Sequence, residues 1–172
     1  MRKLLLLAGL LLALALGCTS VAIAPTSTPV PTSTPIATAK WEPLSPLTFS
    51  RSAIGVGSVD GRVYAVGGLD EIGRTTDIVE AFDPVSRQWR TVAPLPKPLH
   101  HPAVAAAEGK LYVIGGFEGR QAEPSDAVYE YDPVVNEWNM KAPLPAARGA
   151  LAAAVWEDLV FAIGGVGENG VS

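Results

Sequence analysis

Two arginines, a histidine pair and one cysteine are the residues of this 172-residue chain best placed to do chemistry. Arg51 and Arg148 each stand 16 residues ahead of a glycine pair, Gly67-Gly68 and Gly164-Gly165. A guanidinium is a planar fork that can bond both oxygens of a carboxylate. Two of them at one repeated position suit either an anion-binding site or pairing with acids or carbonyls between repeat units. A middle unit breaks the pattern, with Leu99 at that position followed by His100. His100 and His101 in an extended strand would project to opposite faces, which argues against one shared metal and for rim histidines. Glu71, Arg74, Glu118 and Arg120 fall in two stretches, Leu69 to Asp77 and Phe117 to Asp126, that read as loops. Loops are where binding residues concentrate.

Other chemistry has little material. No Gly-x-Ser-x-Gly elbow, phosphate-cradling Gly-Lys-Thr/Ser loop or His-x3-His pair occurs. A single Cys rules out a disulfide framework and a multi-cysteine metal site. The expectation is a chain with no catalytic centre, metal or cofactor. Thirteen basic against 17 acidic residues, with a pI near 5.1, argue against a nucleic-acid partner.

That single cysteine, Cys18, closes an apolar run. Met1-Arg2-Lys3 is a positive start, and Leu4 to Leu16 is an uncharged stretch too short to span a bilayer comfortably. Residues 1–17 therefore read as a secretory signal. Cys18 at its end resembles the lipidated cysteine of bacterial lipoproteins, although Ala15 and Leu16 depart from the usual order. A cut after Ala15 would instead release a soluble exported protein. Residues 18–40 are rich in Thr, Ser and Pro, without acids or aromatics. Such a segment buries too little surface to offset its ordering entropy, and extended it reaches roughly 60–70 Å. The expected address is the cell envelope, on the outer face of a membrane through a lipid anchor, or secreted or periplasmic without one.

From residue 41 onward the chain repeats. Trp41, Trp89 and Trp138 lie 48 and 49 residues apart, each opening Trp-x4-Pro-Leu. Gly67-Gly68, Gly115-Gly116 and Gly164-Gly165 keep the same period, and Asp83-Pro84 and Asp132-Pro133 lie 49 apart. Three markers with one period define an internal repeat. The units run about 41–92, 93–141 and 142–172. RVYAVGG, KLYVIGG and LVFAIGG read as buried strands stopped by glycine. Asp60-Gly61 and Glu108-Gly109 read as tight hairpin turns. AVAAAEGKL and GALAAAVWEDL taken alone favour helix. They align without gaps to AIGVGSVDGRV, whose glycines oppose one, so strand is predicted throughout. IVEAFD and AVYEYD add a third strand, QWRTV and EWNMK a fourth. Four short antiparallel strands per unit make a propeller blade.

The period, the glycine pair, the aromatic three residues before it and the later Trp together resemble the kelch repeat over residues 41–172. The resemblance implies an all-β, kelch-type β-propeller of four-stranded antiparallel blades, incomplete at about 2.7 blades. It implies that Trp89 and Trp138 pack between blades, that Tyr64, Tyr112 and Phe161 fill blade interiors, and that Trp41 opens an outermost strand closing a ring. It also implies arginines at the mouth, here Arg51 and Arg148. Copper oxidases of this fold need a Tyr–Cys cross-link and histidines, and Cys18 lies outside the repeats. The functional expectation is a non-enzymatic binding module for a protein or carbohydrate ligand. The alternatives are an exported sugar-acid mutarotase using Glu71, Glu118, Arg51 and Arg148, or a truncated, non-functional fragment. The absent outer strands of the last unit suggest such a truncation.

Overall fold

A computed structural model describes residues 40–171. The chain divides into two units, Met1–Trp41 and Glu42–Ser172. The signal reading of residues 1–17, lipidation of Cys18 and nearly all of the 18–40 spacer lie outside the described residues. Among those described no helix occurs, so none is long and apolar enough to cross a membrane.

The first blade is a meander of four antiparallel strands, β1 (Gly55–Val59), β2 (Arg62–Val66), β3 (Val79–Asp83) and β4 (Gln88–Thr91), hydrogen-bonded in that order. The second repeats it with β5 (Ala103–Ala107) and β6 (Lys110–Ile114). After the small hairpin β7 (Phe117–Glu118) and β8 (Glu123–Pro124) come β9 (Val128–Asp132) and β10 (Glu137–Met140). The third contributes β11 (Ala152–Trp156) and β12 (Leu159–Ile163), then the small hairpin β13 (Val166–Gly167) and β14 (Gly170–Val171). Two full blades and the inner half of a third make an incomplete propeller.

The alanine-rich stretches are strands, β5 and β11, because tertiary room decides against their helix propensity. A Cβ on Gly55 would come within 2.5 Å of the Val104 side chain, and one on Gly57 within 2.7 Å of Leu111. Small residues on one inner strand thus leave space for the next blade's branched ones. Val59 pairs with Arg62 and Ala107 with Lys110 across two-residue turns, with Asp60-Gly61 and Glu108-Gly109 left-handed at both positions. That is the geometry asparagine, aspartate and glycine favour in hairpins.

Each of the first two glycine pairs joins two blades. Gly67 lies at φ +59°, and a Cβ there would overlap the carbonyl oxygen of Leu99 in the next blade. Gly68, at φ +105°, would place one 2.5 Å from the Ser52 oxygen of its own blade. The Gly68 N–H donates to Leu99 O at 2.8 Å, and Gly116 repeats the bond to Arg148 O at 2.9 Å. Only a residue without a side chain permits both the dihedral and the approach.

The tryptophans fix the outer strands. Trp89 Nε1 donates to Ser45 O and Trp138 Nε1 to Ala93 O, each at 2.9 Å. The acceptor residue precedes a proline in both, so the indole of one unit holds the Trp-x4-Pro segment of the unit before. Trp138 packs tilted against Tyr131, with ring centroids 4.8 Å apart. Asp83 and Asp132 close their Asp-Pro turns by accepting from the N–H of Val85 at 2.8 Å and of Val134 at 2.9 Å. Two expectations differ. Trp41 is fully exposed and in no strand, and Phe161 is partly exposed rather than interior because no blade covers it among the described residues. Tyr64 is fully buried, while Tyr112 is half-buried and donates to Glu130 at 2.8 Å.

Candidate functional site

The arginine at the lead-in to β1 faces inward. Arg51 Nη2 meets Glu80 Oε2 at 2.7 Å with their side chains 1 % and 0 % exposed. Its Nη1 donates to Gly67 O at 2.6 Å and Ile78 O at 2.7 Å, and Glu80 Oε1 accepts from Thr48 N at 2.9 Å. Every face of this ion pair is met by protein, so Arg51 ties the glycine pair to β3 and presents no fork to a ligand. Glu80 was not legible as a site residue. The signal lay in the repeat: where the first unit has Arg51 and Glu80, the second has Leu99 and Tyr129, both buried in the main apolar cluster. Position by position, the second blade replaces a buried ion pair with an apolar pair, an exchange that is often neutral for stability. Arg148 makes the corresponding bond from Nη1 to Gly164 O at 3.2 Å, and its Nε donates to Ala146 O at 3.3 Å.

The histidines depart most from expectation. They do not project to opposite faces, because His101 is left-handed at φ +50°. That kink brings the two Nδ1 atoms to 2.8 Å, with ring centroids 5.1 Å apart. The centroid separation is close to the N–N distance plus two ring radii, so the lone-pair axes lie nearly on one line. One ring donates and the other accepts. A metal needs about 2.0–2.1 Å to each nitrogen and has no room on that line. Among the described residues no three metal-ligating side chains converge. His100 is buried rather than at a rim, against Phe117 at 5.5 Å. Burial holds its pKa below the ordinary histidine value, opposed by a backbone hydrogen bond at Gly119.

The loops after the glycine pairs do come together. Thr75 Oγ1 of the first blade donates to Gly119 O at 3.2 Å, and Arg120 Nη2 donates back to Ile72 O at 2.9 Å. Between them lies a cleft of about 430 Å³ lined by Arg74, Thr75, Lys97, Pro98, Glu118, Gly119 and Arg120. Three cations from two blades face one carboxylate there. Glu118 pairs with Lys97 at 3.5 Å and accepts from Ser125 Oγ at 3.0 Å. Arg74 is held by Asp70 at 2.7 Å, and hydrogen bonds from the Arg74 backbone and side chain hold the Asp70 carboxyl below its usual range. Glu71 is exposed and lines the neighbouring groove with Asp70 and Arg51. Lys97, in the linker before β5, carries no sequence signal for this cleft.

Comparison with known proteins follows the same lines. The Kelch motif profile matches residues 50–96 and 98–145, more than half of the chain. Kelch-like protein 21 of Danio rerio is 37 % identical over 59 residues, 34 % of this chain and 10 % of that protein. Kelch-like protein 41 of Mus musculus is 38 % identical over 60 residues, again 34 % and 10 %. Alpha-scruin of Limulus polyphemus is 30 % identical over 64 residues, 37 % and 7 %. The match thus spans about a tenth or less of these curated relatives. The solved structure of YjhT superposes with a TM-score of 0.65 at 17 % identity, over 74 % of this chain and 48 % of that one. At that identity the likeness is one of fold.

Two predictions follow from the buried groups. Arg51→Leu leaves Glu80 buried without its cation and should cost about 3–5 kcal/mol in urea unfolding. Arg51→Leu with Glu80→Tyr copies Leu99 and Tyr129 and should recover most of it; a double variant as weak as the single one sinks this account. For His100 the folded pKa is depressed, so below about pH 6.5 the unfolded chain binds more protons. The ring's contribution is complete above that pH and is lost as pH falls toward the folded pKa. His100→Ser, the first blade's residue, should flatten the stability slope between about pH 7 and 5.

Proposed function

Because the chain belongs to the kelch-repeat family, we propose that it is a non-enzymatic binding module whose ligand face is the loop face after the glycine pairs. The observation that carries this reading is the interblade cleft, where Arg74, Lys97 and Arg120 stand against Glu118 and the Asp70 that holds Arg74, which leaves one cation in excess. Cations held at the edge of a cleft, only partly neutralised, attract carboxylates and give specificity through geometry. The ligand class is therefore a carboxylate-bearing protein segment or acidic glycan. Arg51 is set aside as a contact, since its donors are engaged inside the blade.

The same proposal includes an address. A leader over residues 1–17, a lipid on Cys18 and the Thr/Pro/Ser-rich spacer would hold the blades outside a bacterial membrane, up to roughly 60–70 Å from it.

Binding is tested by titrating the protein with a glutamate-rich peptide and with an array of sialylated and neutral glycans. Arg74→Glu with Arg120→Glu should weaken the carboxylate-bearing probe at least tenfold, and added salt should do the same. Equal binding by wild type and variant removes the cleft from consideration. Anchoring is tested by detergent phase separation after expression in a bacterial host. The wild-type chain should enter the detergent phase and Cys18→Ser the aqueous phase; a wild-type chain in the aqueous phase rules out the lipid.

A further inference from the structure

The histidine pair sits where three blades meet. His101 N donates to Ala53 O of the first at 2.7 Å, and Ala150 N of the third donates to His101 O at 3.0 Å. His100 exchanges backbone hydrogen bonds with Phe117, which opens the hairpin carrying Glu118. Both imidazoles lie against the Phe117 ring, at 5.5 and 6.1 Å. His100 is buried and His101 exposed. These are the chain's only two histidines.

Their protons can be placed from their partners. The two Nδ1 atoms meet at 2.8 Å, so one carries a proton and the other does not. The remaining nitrogen of His100, Nε2, bonds the backbone of Gly119 in a way that favours the charged ring. The Gly119 group is therefore the carbonyl, and Nε2 is the donor. His100 Nδ1 is then the acceptor of a neutral ring, and His101 Nδ1–H donates to it. Nε2 is left as the acceptor nitrogen of the exposed ring.

A pair built this way has room for one more proton and not two. A proton on His101 Nε2 makes that ring cationic, and its Nδ1–H still donates to neutral His100, now with charge assistance. A second proton would have to go to His100 Nδ1. Two N–H groups of two cations would then face each other at 2.8 Å. Burial, and the charge of His101 with it, also act against a cationic His100, with the Gly119 bond acting the other way.

Gly119 ties the pair to the interblade cleft. Thr75 Oγ1 donates to the same carbonyl at 3.2 Å, and both residues line the cleft. The charged side chains on the elements packed around the pair are Glu118 and Arg120 of the hairpin, Lys97 of the linker, Arg74 of the first blade's loop, and Arg51 and Arg148 of the neighbouring lead-ins. Arg51, Arg74 and Lys97 each stand beside a carboxylate, so Arg120 carries the excess charge of the cleft. A proton on His101 adds a second positive charge, one ring away from the cleft wall.

Resting on the reading of that cleft as a carboxylate site, we infer that the histidine pair is a one-proton switch on it: in mildly acidic surroundings His101 takes up a proton at Nε2, His100 stays neutral, and the cleft holds a carboxylate more tightly. By linkage, a bound carboxylate raises the pair's affinity for that proton by the same factor.

The test uses the full chain with Cys18→Ser and a glutamate-rich peptide, whose carboxylates stay ionised above about pH 5.5. Binding should be roughly threefold tighter at about pH 5.5 than at about pH 8, the effect of one added charge close to a screening length away. Histidine is the side chain that ordinarily titrates in that range. His101→Ala copies Ala53 and Ala150 of the neighbouring blades and should bind equally at the two pH values. His101→Lys should bind at the higher pH as the wild type does at the lower. Nitrogen NMR of the rings gives a readout without ligand: in the acidic sample His101 should carry two N–H groups and His100 one. Wild-type binding that is equal at both pH values, or a pH dependence that survives in His101→Ala, overturns the switch and leaves the cleft reading standing. A first proton on His100 overturns it as well. A peptide that binds at neither pH overturns both.

Discussion

The backbone's close approach between blades is the constraint on which the rest depends. Gly68 and Gly116 donate across it to Leu99 and Arg148 at 2.8 and 2.9 Å. Nearer the axis, His101 N donates to Ala53 O at 2.7 Å and Ala150 N to His101 O at 3.0 Å. The glycine bonds satisfy peptide groups that would otherwise be buried without partners, and each such orphan costs about 1–3 kcal/mol. They also set the distance between inner strands, and that distance decides which side chains fit. Gly55 and Gly57 are small because Val104 and Leu111 arrive there. The order of causes runs from backbone spacing to side-chain size.

Charge is used in two ways around this frame. Inside a blade, Arg51 and Glu80 neutralise each other and cap carbonyls near the glycine pair. A buried pair of this sort adds little net stability over an apolar one, and Leu99 with Tyr129 shows the fold works without it. On the loop face the cations are only partly neutralised and remain near solvent, with Arg74, Lys97 and Arg120 around one cleft. Within the second blade, Tyr112 donates to Glu130, which also pairs with Lys141 at 2.9 Å. Burial and that carboxylate push the Tyr112 hydroxyl up to about 12. This network offers no acid near neutral pH.

What could be read from the residues was what the repeat wrote three times. The strands, their turns and the glycine pairs were legible because period and residue type agree. Even β5 and β11, whose alanines favour helix, were placed by alignment with the glycines of β1. The site was less legible. Arg51 stayed open between ligand group and ion pair because its acid lies 29 residues away, and no local pattern joins them. The histidines were assigned to opposite faces by a rule for regular strands. That rule fails where one residue is left-handed, and the alanines at the matching positions, Ala53 and Ala150, carry no type that announces a positive φ. Lys97 reaches the cleft from a linker whose course depends on tertiary packing.

The three left-handed positions around the axis are Ala, His and Ala, yet the carbonyl-to-amide chain that passes through them is unbroken. The contact between successive inner strands is therefore written in peptide groups, indifferent to the lettering they carry. Variation there re-upholsters the throat without disturbing the frame, so descendants of this scaffold can trade one central lining for another and keep their shape.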